Sequence, residues 1–382
     1  MTTSTKKTAN AKQWLSKINH LMDSHQAQQL FADKNIKIMN VCGGHERSIS
    51  MAGIRRNALH PQIELIPGPG CPVCVCPEED IYQAIQLALH EDIILVTFGD
   101  MLRVPVNVAK KSIRTLQQAK AAGADIRAIA SPLEARQIAL DNSNKPIVFF
   151  AAGFETTTAP IAGLIMEGLP DNLSFLLSAR LTWPAVAMLL DTNQAGFDAL
   201  IAPGHVATVM GAEEWQFVVK KHQIPTAIAG FDTESLLAAF YSVIRQKLES
   251  RLFLDNCYPQ LVTEKGNITA QLQLESSMDI IDANWRGIGI IPHSGFALKE
   301  TYGQHNARLI FPNYEQQARR HNGEMPPGCD CARVVLGQLY PNQCKLYGTA
   351  CTPKDPVGPC MVSDEGACRI WWAQGLRTAD KK

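Results

Sequence analysis

Short apolar runs alternate with longer amphipathic stretches from about residue 36 to residue 230 of this 382-residue chain. The runs are β-rich, and a turn that contains Gly or Pro follows most of them, which is the pattern of buried parallel strands. The periodicity between the runs predicts helices over Glu79–His90 and Val108–Ala122. The predicted strands are Ile36–Met39, Ile63–Ile66, Ile93–Phe98, Ile126–Ala130, Ile147–Ala151, Phe175–Leu177, Leu200–Ala202 and Thr226–Ala229.

This alternation predicts the α/β class, with two Rossmann-like parallel-sheet domains and a smaller Cys-rich iron-sulfur domain. The first α/β domain is expected over residues 1–134, because a boundary signal lies near Ser131-Pro132. The second is expected over residues 135–283. Over residues 284–382 the pattern gives way to Gly/Pro-rich sequence with many cysteines, so we expect this domain to depend on its cofactor.

Composition and charge narrow the class of partner. The formal net charge is zero and the basic residues are scattered, so neither nucleic acid nor an anionic membrane is an expected partner. Residues 1–13 lack the apolar stretch of a signal peptide, and no segment approaches the roughly 18 apolar residues of a membrane span. We therefore expect a cytoplasmic protein, where cysteines serve more often as ligands or catalysts than in disulfides.

Six of the eleven cysteines lie in the last quarter of the chain. Their spacing lacks the two close Cys-x2-Cys pairs of most zinc ribbons, whereas an iron-sulfur cube tolerates uneven spacing. Four thiolates hold a [4Fe-4S] cluster, which leaves two cysteines for a redox pair beside it. Structural zinc and free core thiols are the alternatives. The six are Cys329, Cys331, Cys344, Cys351, Cys360 and Cys368.

A second group of reactive residues follows the first three predicted strands. Cys42 and His45 come after the first strand, Cys71 and Cys74 after the second, and Asp100 after the third. Because parallel strands present their carboxyl ends at one edge, we expect these five side chains to converge. A thiol in a glycine turn ahead of a helix is also expected to favour the thiolate.

Several of these residues also have ordinary structural explanations. His45 is either a metal ligand or proton carrier, or a helix-capping or solvent histidine. Asp100 and Glu155 directly follow apolar runs, where a helix-cap role is as well supported as a functional one. Cys257 has no partner nearby in sequence and is expected to be a packing thiol. No Walker-type motif is present, so nucleotide binding is only weakly supported.

Five motifs in this order resemble those of the HypD family of [NiFe]-hydrogenase maturation factors, and the resemblance runs nearly end to end. The motifs are Cys42-Gly-Gly-His-Glu46, Gly68-Pro-Gly-Cys-Pro-Val-Cys74, Phe98-Gly-Asp100, Gly153-Phe-Glu-Thr-Thr157 and Cys360-Met-Val-Ser-x-Glu-Gly-x-Cys368.

The resemblance implies a redox-active scaffold for metallocofactor assembly rather than a conventional turnover enzyme. It implies that Cys42, with His45 beside it, holds an Fe(II) ion together with a HypC-type chaperone, and that Cys71 and Cys74 are the essential thiol pair near that iron. Two cyanides, delivered by a HypE-type partner, and one carbon monoxide would be assembled there as Fe(CN)2CO. The chaperone would then pass this unit to the hydrogenase large subunit.

The family's cluster environment is similar to that of ferredoxin:thioredoxin reductase. By that analogy Cys329, Cys344, Cys351 and Cys368 are the cluster ligands, and Cys331 and Cys360 are the redox pair. The exchange of Cys329 and Cys331 between these roles stays open. A free-standing iron-sulfur thiol-disulfide oxidoreductase acting through Cys71 and Cys74 is the alternative function, and a structural zinc protein with a nucleotide-binding domain is the third.

Overall fold

A computed structural model describes residues 3–109, 111–192, 196–315 and 325–376, with the side chains of 3–9, 56 and 57 left out. All eight predicted strands are present as β1 to β8, and three further strands follow them. The strands are β1 (Ile36–Asn40), β2 (Ile63–Pro67), β3 (Ile94–Phe98), β4 (Ile126–Ile129), β5 (Ile147–Gly153), β6 (Leu173–Arg180), β7 (Ala199–Pro203), β8 (Thr226–Ala229), β9 (Leu254–Asn256), β10 (Met278–Trp285) and β11 (Gly289–Leu298).

Helices connect most of the strands. The α-helices are α1 (Thr3–Met22), α2 (His25–Leu30), α3 (Gly43–Met51), α4 (Pro72–Val75), α5 (Glu78–His90), α6 (Leu116–Ala121), α7 (Pro132–Asp141), α8 (Glu155–Glu167), α9 (Thr182–Asp191), α10 (Gly204–Met210), α11 (Gln216–Lys220), α12 (Thr233–Glu249), α13 (Ile268–Ser277), α14 (Ala307–Ile310), α15 (Cys331–Val335) and α16 (Ala367–Ala373). A π-helical turn spans Ile54–Ala58, and 3₁₀ turns span Gly99–Arg103, Glu213–Trp215, Glu300–His305, Pro341–Gln343 and Pro359–Met361. No helix among the described residues is long and apolar enough to cross a membrane.

The strands form two sheets, which confirms the predicted α/β class. The first sheet has the order β2-β1-β7-β8-β9 and is parallel throughout. The second has the order β10-β11-β6-β5-β3-β4, in which β3 to β6 are parallel and the β10–β11 hairpin adds an antiparallel edge. In the first sheet the strand order reverses between β1 and β7, and such a reversal opens a crevice at the carboxyl ends of the strands.

The chain is divided between the sheets differently from the predicted contiguous division at residue 134. Strands β1 and β2 join the first sheet, the next four strands build the second, and β7 returns to pair with β1. The predicted boundary at residue 284 falls inside β10, which belongs to the second sheet. Parallel strands need long crossovers, so local patterning cannot tell which sheet a strand enters.

Helix α5 confirms the prediction over Glu79–His90, but the helix predicted over Val108–Ala122 is too long. The structure has a helix only over Leu116–Ala121, and residue 110 lies outside the described part of the chain. Thr115 explains the late start, because its hydroxyl oxygen accepts a hydrogen bond of 3.1 Å from the amide of Gln118 and so caps the helix.

Each sheet is buried on both faces. Helices α1 and α12 pack on one face of the first sheet, and α7, α8 and α13 pack on one face of the second. The other face of the second sheet shares one continuous apolar core with α5, α6 and the C-terminal cysteines. The Cys-rich region is therefore packed into the fold, beside the turn that carries Cys71 and Cys74.

Candidate functional site

Three of the predicted cysteine positions open onto one narrow crevice with Cys360 of the C-terminal group. Cys42 follows β1 and precedes α3, while Cys71 and Cys74 flank the short helix α4 after β2. The crevice is lined by Asn40, Cys42, Gly43, Glu46, Pro67, Gly68, Cys71, Cys74, Val334, Val335, Cys360, Glu365 and Ala367. Two thiol groups that are far apart in sequence thus meet in space.

Glycines allow the segments around Cys42 to approach each other. The amide of Gly43 donates a hydrogen bond of 3.0 Å to the carbonyl of Gly70. A Cβ atom on Gly70 would collide with the backbone of Cys42, and one on Gly43 would collide with Glu365. Only glycine fits at these two contacts, and they set the spacing between the β1 turn, the β2 turn and the C-terminal segment.

The thiol of Cys42 is partly exposed at the mouth of the crevice. The nearby backbone amides of Gly44 and His45 act to lower the pKa of the Cys42 thiol, as expected at a helix amino terminus. Burial among protein atoms and the nearby Glu365 outweigh them and raise the pKa to about 12. The prediction that this turn favours a free thiolate is therefore wrong for Cys42, because its surroundings favour the protonated thiol.

Cys71 and Cys74 are joined in a disulfide, with their Cα atoms 5.3 Å apart. The sulfur of Cys71 also accepts a hydrogen bond of 3.2 Å from the amide of Cys74, because Cys71 caps α4. Both residues are buried. Their position beside Cys360 suits thiol-disulfide exchange with the C-terminal group.

His45 is fully buried in α3, so it is not a solvent histidine. Its Nε2 atom lies 2.9 Å from the carbonyl oxygen of Ala229, and its ring packs 4.8 Å from that of Phe231. Burial lowers the pKa of His45 to about 4, so the ring is neutral at physiological pH. His45 does not line the crevice.

Asp100 lies on the second sheet and reaches the site indirectly. Its carboxylate accepts hydrogen bonds of 3.0 Å from the Ser363 hydroxyl and 3.2 Å from the Asp364 amide. The next residue, Glu365, lines the crevice, and loss of surrounding water together with the Asp100 charge raises its pKa to about 7. Asp100 thus positions the loop that places an acid beside Cys42.

Glu155 is remote from the crevice lining. It begins α8, is fully buried, and accepts hydrogen bonds of 2.6 Å and 2.7 Å from the amide and hydroxyl of Thr182. Burial raises its pKa to about 7. Its contacts join α8 to α9, and the structure does not bring it together with the cysteines.

The six C-terminal cysteines gather in the core that is shared with the second sheet, and all but Cys329 are buried. The sulfur atoms of Cys329 and Cys331 are 3.4 Å apart. Gly358 passes directly over both, and a Cβ atom there would collide with both sulfurs. The amide of Val357 donates a bond of 3.4 Å to the Cys351 sulfur, so the adjacent backbone is shaped around these thiols.

The thiols of this group differ in pKa. Hydrogen bonds from the Cys331 and Cys360 thiols lower the pKa of Cys368 to about 6. The same contacts and burial raise the pKa of Cys360. Burial raises the pKa of Cys351 to about 11. The contacts with Cys331 and Cys360 therefore favour the thiolate form of Cys368.

The donor chemistry of this group consists of six thiols. No three His, Cys, Asp or Glu side chains within the described ranges are arranged to hold one metal ion. The six thiols in this part of the core exceed the four that a cubane requires. The residues present are therefore compatible with the predicted cluster.

Glu46 and Trp371 are site residues to which sequence analysis assigned no contact. Glu46 is buried and accepts hydrogen bonds from Asn40 at 3.0 Å, Arg55 at 2.6 Å and the indole of Trp371 at 2.8 Å. The Cys42-Gly-Gly-His-Glu46 motif was the available signal for Glu46, whereas its partners are distant in sequence.

Comparison with known proteins agrees with this arrangement. The family model described as "HypD: Hydrogenase formation hypA family" matches residues 9–375. The chain is 38% identical over 352 residues to hydrogenase maturation factor HypD2 of Bradyrhizobium diazoefficiens, covering 90% of each chain. It is 37% identical to HypD of Rhodobacter capsulatus over 96% of each chain, and 35% identical to HypD of Escherichia coli K12 over 93% of each. With a match that extends over both sheets and the cysteine group, the chain belongs to the HypD family of hydrogenase maturation factors.

Proposed function

We propose that this chain is the scaffold on which the iron of a [NiFe]-hydrogenase receives its cyanide and carbonyl ligands. The observation that carries this proposal is the shared crevice of Cys42, Cys71, Cys74 and Cys360. A soft thiolate suits low-spin Fe(II) with strong-field ligands, and adjacent dithiols supply reducing capacity. We assign this assembly reaction to the cytoplasm, where the reducing environment keeps cysteines as free thiols.

The iron is the cargo, and Cys42 is its anchor. Because the pKa of Cys42 is about 12, the thiol loses its proton only as Fe(II) binds. Glu365, with a pKa of about 7, lines the same crevice and is the group that accepts this proton. Glu46 is unsuited to that task because Asn40, Arg55 and Trp371 already bind its oxygens.

A protein partner completes the iron site. Cys42 is half-buried, and in this proposal a HypC-type chaperone supplies a second thiol to the same ion. The cyanides would come from a HypE-type donor, and the chaperone would carry the finished Fe(CN)2CO unit to the hydrogenase large subunit. Crowding at Gly43 by Glu365 confines the approach of the chaperone to the solvent side.

We assign Cys329, Cys344, Cys351 and Cys368 to a [4Fe-4S] cluster, with Cys331 and Cys360 as a redox pair. When bound, the cluster supplies one-electron transfer. The hydrogen-bond contact between Cys331 and Cys360 supports the pairing. Cys331 is also in contact with Cys368, which keeps open the exchange of Cys329 and Cys331. Cys360 lines the crevice, so exchange with the Cys71–Cys74 disulfide needs no large movement of the chain.

A second function, an iron-sulfur thiol-disulfide oxidoreductase, is favoured by one observation. The Cys71–Cys74 disulfide and Cys360 line one crevice, an arrangement that suits reduction of this disulfide by a C-terminal dithiol, after which the Cys71/Cys74 dithiol reduces a further disulfide and is itself reoxidised. The two functions differ in whether Cys42 is required. A reductase needs only the dithiols, whereas a scaffold needs Cys42 to hold iron.

Infrared spectroscopy of anaerobically purified protein, co-produced with its maturation partners, tests the proposal. The scaffold predicts stretches from two cyanides and one carbonyl, lost in Cys42→Ala while cluster iron and sulfide are kept. Cys257→Ala is the matched control, because Cys257 is a partly exposed thiol outside the crevice whose pKa is also raised to about 12. If the protein carries a full cluster but no preparation shows these stretches, the scaffold function is wrong and the reductase function takes its place.

A further inference from the structure

The segment that follows Cys351 has an inner and an outer side. On the inner side, the amide of Val357 donates a hydrogen bond of 3.4 Å to the sulfur of Cys351. A Cβ atom on Gly358 would collide with the sulfurs of Cys329 and Cys331. On the outer side, Val357 lines an open groove against α6. The groove and the C-terminal thiols therefore lie on opposite sides of one layer of chain.

Three cations from distant parts of the sequence line this groove. Arg103 follows β3, Arg114 precedes α6, and Lys354 lies in the segment after Cys351. The Nη2 atom of Arg103 donates a hydrogen bond of 2.6 Å to the carbonyl of Pro353, which joins the turn after β3 to that segment. The fold thus gathers positive charge that is scattered along the sequence.

The chain leaves this charge largely unneutralised. No ion pair joins the three cations to a residue within the described ranges, and Asp355 is the single acid among the described lining residues. Other arginines around the second sheet are paired, Arg127 with Asp125 at 2.9 Å and Arg136 with Glu167 at 2.9 Å. A groove lined by unpaired cations indicates an anionic partner.

The lining of the groove favours an acidic protein over a nucleic acid. Its described residues include no aromatic ring on which a base could stack, and Asp355 would repel an evenly charged phosphate backbone. An acidic protein can instead place separate carboxylates opposite the three cations. Small contacts that are steered by charge are typical of encounters between electron-transfer proteins.

We propose that this groove docks an acidic one-electron carrier protein, whose electrons reach the sulfur centre through residues 351–358. The inference rests on the proposed [4Fe-4S] cluster. In each encounter the carrier is oxidised by one electron and the cluster is reduced by one, with no bond formed or broken and no proton transferred. Val357 both lines the groove and contacts the Cys351 sulfur, so it lies between the docked carrier and the centre.

The test is stopped-flow reduction of the anaerobic, cluster-containing protein by a reduced acidic [2Fe-2S] ferredoxin. Lys354 is exposed, so Lys354→Glu reverses one charge of the groove without removing a buried contact. At an ionic strength of about 10 mM, the second-order rate constant is expected to fall about tenfold, and added salt should shrink the difference. Arg114→Gln removes one charge and should lower the rate constant about threefold.

Lys34→Glu is the matched control, because Lys34 is an exposed lysine before β1 of the first sheet and the variant has the same net charge as Lys354→Glu. Its rate constant with ferredoxin should stay close to that of the wild type. Photoreduced deazaflavin, a small donor that needs no docking surface, should reduce the wild type and all three variants at the same rate. Equal rates with deazaflavin would show that the cluster itself is unchanged.

Three results would overturn the docking groove while leaving the proposed function in place. The first is an equal ferredoxin rate in Lys354→Glu and Lys34→Glu at wild-type iron and sulfide content. The second is slower reduction of Lys354→Glu by deazaflavin as well, which would place the effect in the cluster. The third is tighter binding of single-stranded RNA than of ferredoxin, lost in Lys354→Glu. A wild-type protein without iron and sulfide would refute the cluster itself, and this inference with it.

Discussion

The indole Nε1 atom of Trp371 donates a hydrogen bond of 2.8 Å to the buried carboxylate of Glu46. This bond joins α16, which carries Cys368, to α3, which begins directly after Cys42. Arg55 binds the same carboxylate at 2.6 Å and lies over the Trp371 ring at 4.8 Å. The two thiol centres are thus held together by a charged network as well as by apolar packing.

Trp371→Phe is expected to loosen this junction. The substitution removes one hydrogen bond to a buried carboxylate, which corresponds to about 2 kcal/mol of the free energy of unfolding. Local opening should also expose the crevice, so Cys42 and Cys360 should react roughly tenfold faster with a thiol reagent. Urea unfolding gives the first quantity, and mass spectrometry of labelled peptides gives the second.

Trp285→Phe is the control for Trp371→Phe. Trp285 is also buried and its indole donates a bond of 2.8 Å to Ser294, away from the crevice lining. It should lower stability without accelerating the labelling of Cys42. Equal acceleration in both variants would mean that the Trp371–Glu46 bond has no special role at the crevice.

Gly70→Ala is expected to destabilise the site through steric overlap. The added methyl group would collide with the backbone of Cys42, which is held by the Gly43–Gly70 hydrogen bond. We expect a loss of about 1–3 kcal/mol in the free energy of unfolding. Gly99→Ala is the matched control because a Cβ atom there meets nothing within 4 Å. Similar losses for both variants in urea titrations would contradict the close-approach argument.

Single cysteine variants test the proposed cluster ligands. Cys329→Ser and Cys368→Ser should each lose most cluster iron and sulfide, because each removes one of four ligands. Cys331→Ser should retain the cluster and lose the exchangeable thiol pair. Iron, acid-labile sulfide and visible absorption of anaerobic protein measure the result.

Cys76→Ser is the control for these variants. Cys76 is a buried thiol 3.2 Å from the Ser178 hydroxyl and is not a proposed ligand, so the cluster should be unaffected. Loss of the cluster in Cys331→Ser and its retention in Cys329→Ser would show that Cys331 is the ligand and that Cys329 belongs to the redox pair.

The raised pKa of Glu155 predicts that the protein becomes less stable as the pH rises. Burial raises its pKa from 4.5 to about 7, so between these values the folded state keeps a proton that the unfolded chain has released. The contribution of Glu155 to the free energy of unfolding therefore falls as the pH rises from about 4.5 to about 7, and it stays low above pH 7. Glu155→Gln should reduce the fall in Tm between about pH 5 and pH 8 by roughly 2–4 °C.

Calorimetry at several pH values measures this effect, with Glu167→Gln as the control on the same helix. Glu167 is largely exposed and pairs with Arg136 at 2.9 Å, so its removal should not change the pH profile. A profile for Glu155→Gln that parallels the wild type would show that another group causes the decline.

Much of the fold was accessible from local sequence. The apolar runs predicted β1 to β8 because a buried strand needs only a few consecutive apolar residues and a turn, both of which are local properties. The helix over Val108–Ala122 was predicted too long because amphipathic periodicity does not register a cap such as Thr115. Strands β9 to β11 went unpredicted. β9 and β10 are edge strands, which carry weaker patterns, and β11 pairs with β6 at only two residues, Gly295 and Phe296.

The amino-acid sequence by itself determined the α/β class, the residue types available for thiol and metal chemistry, and the motifs that mark the HypD family. Those properties depend on the identity and spacing of neighbouring residues. Only the tertiary structure decided that β1 pairs with β7, that Cys360 lines one crevice with Cys71 and Cys74, and that Trp371 bonds to Glu46. These contacts join residues far apart in the chain, and packing of the whole fold selects them.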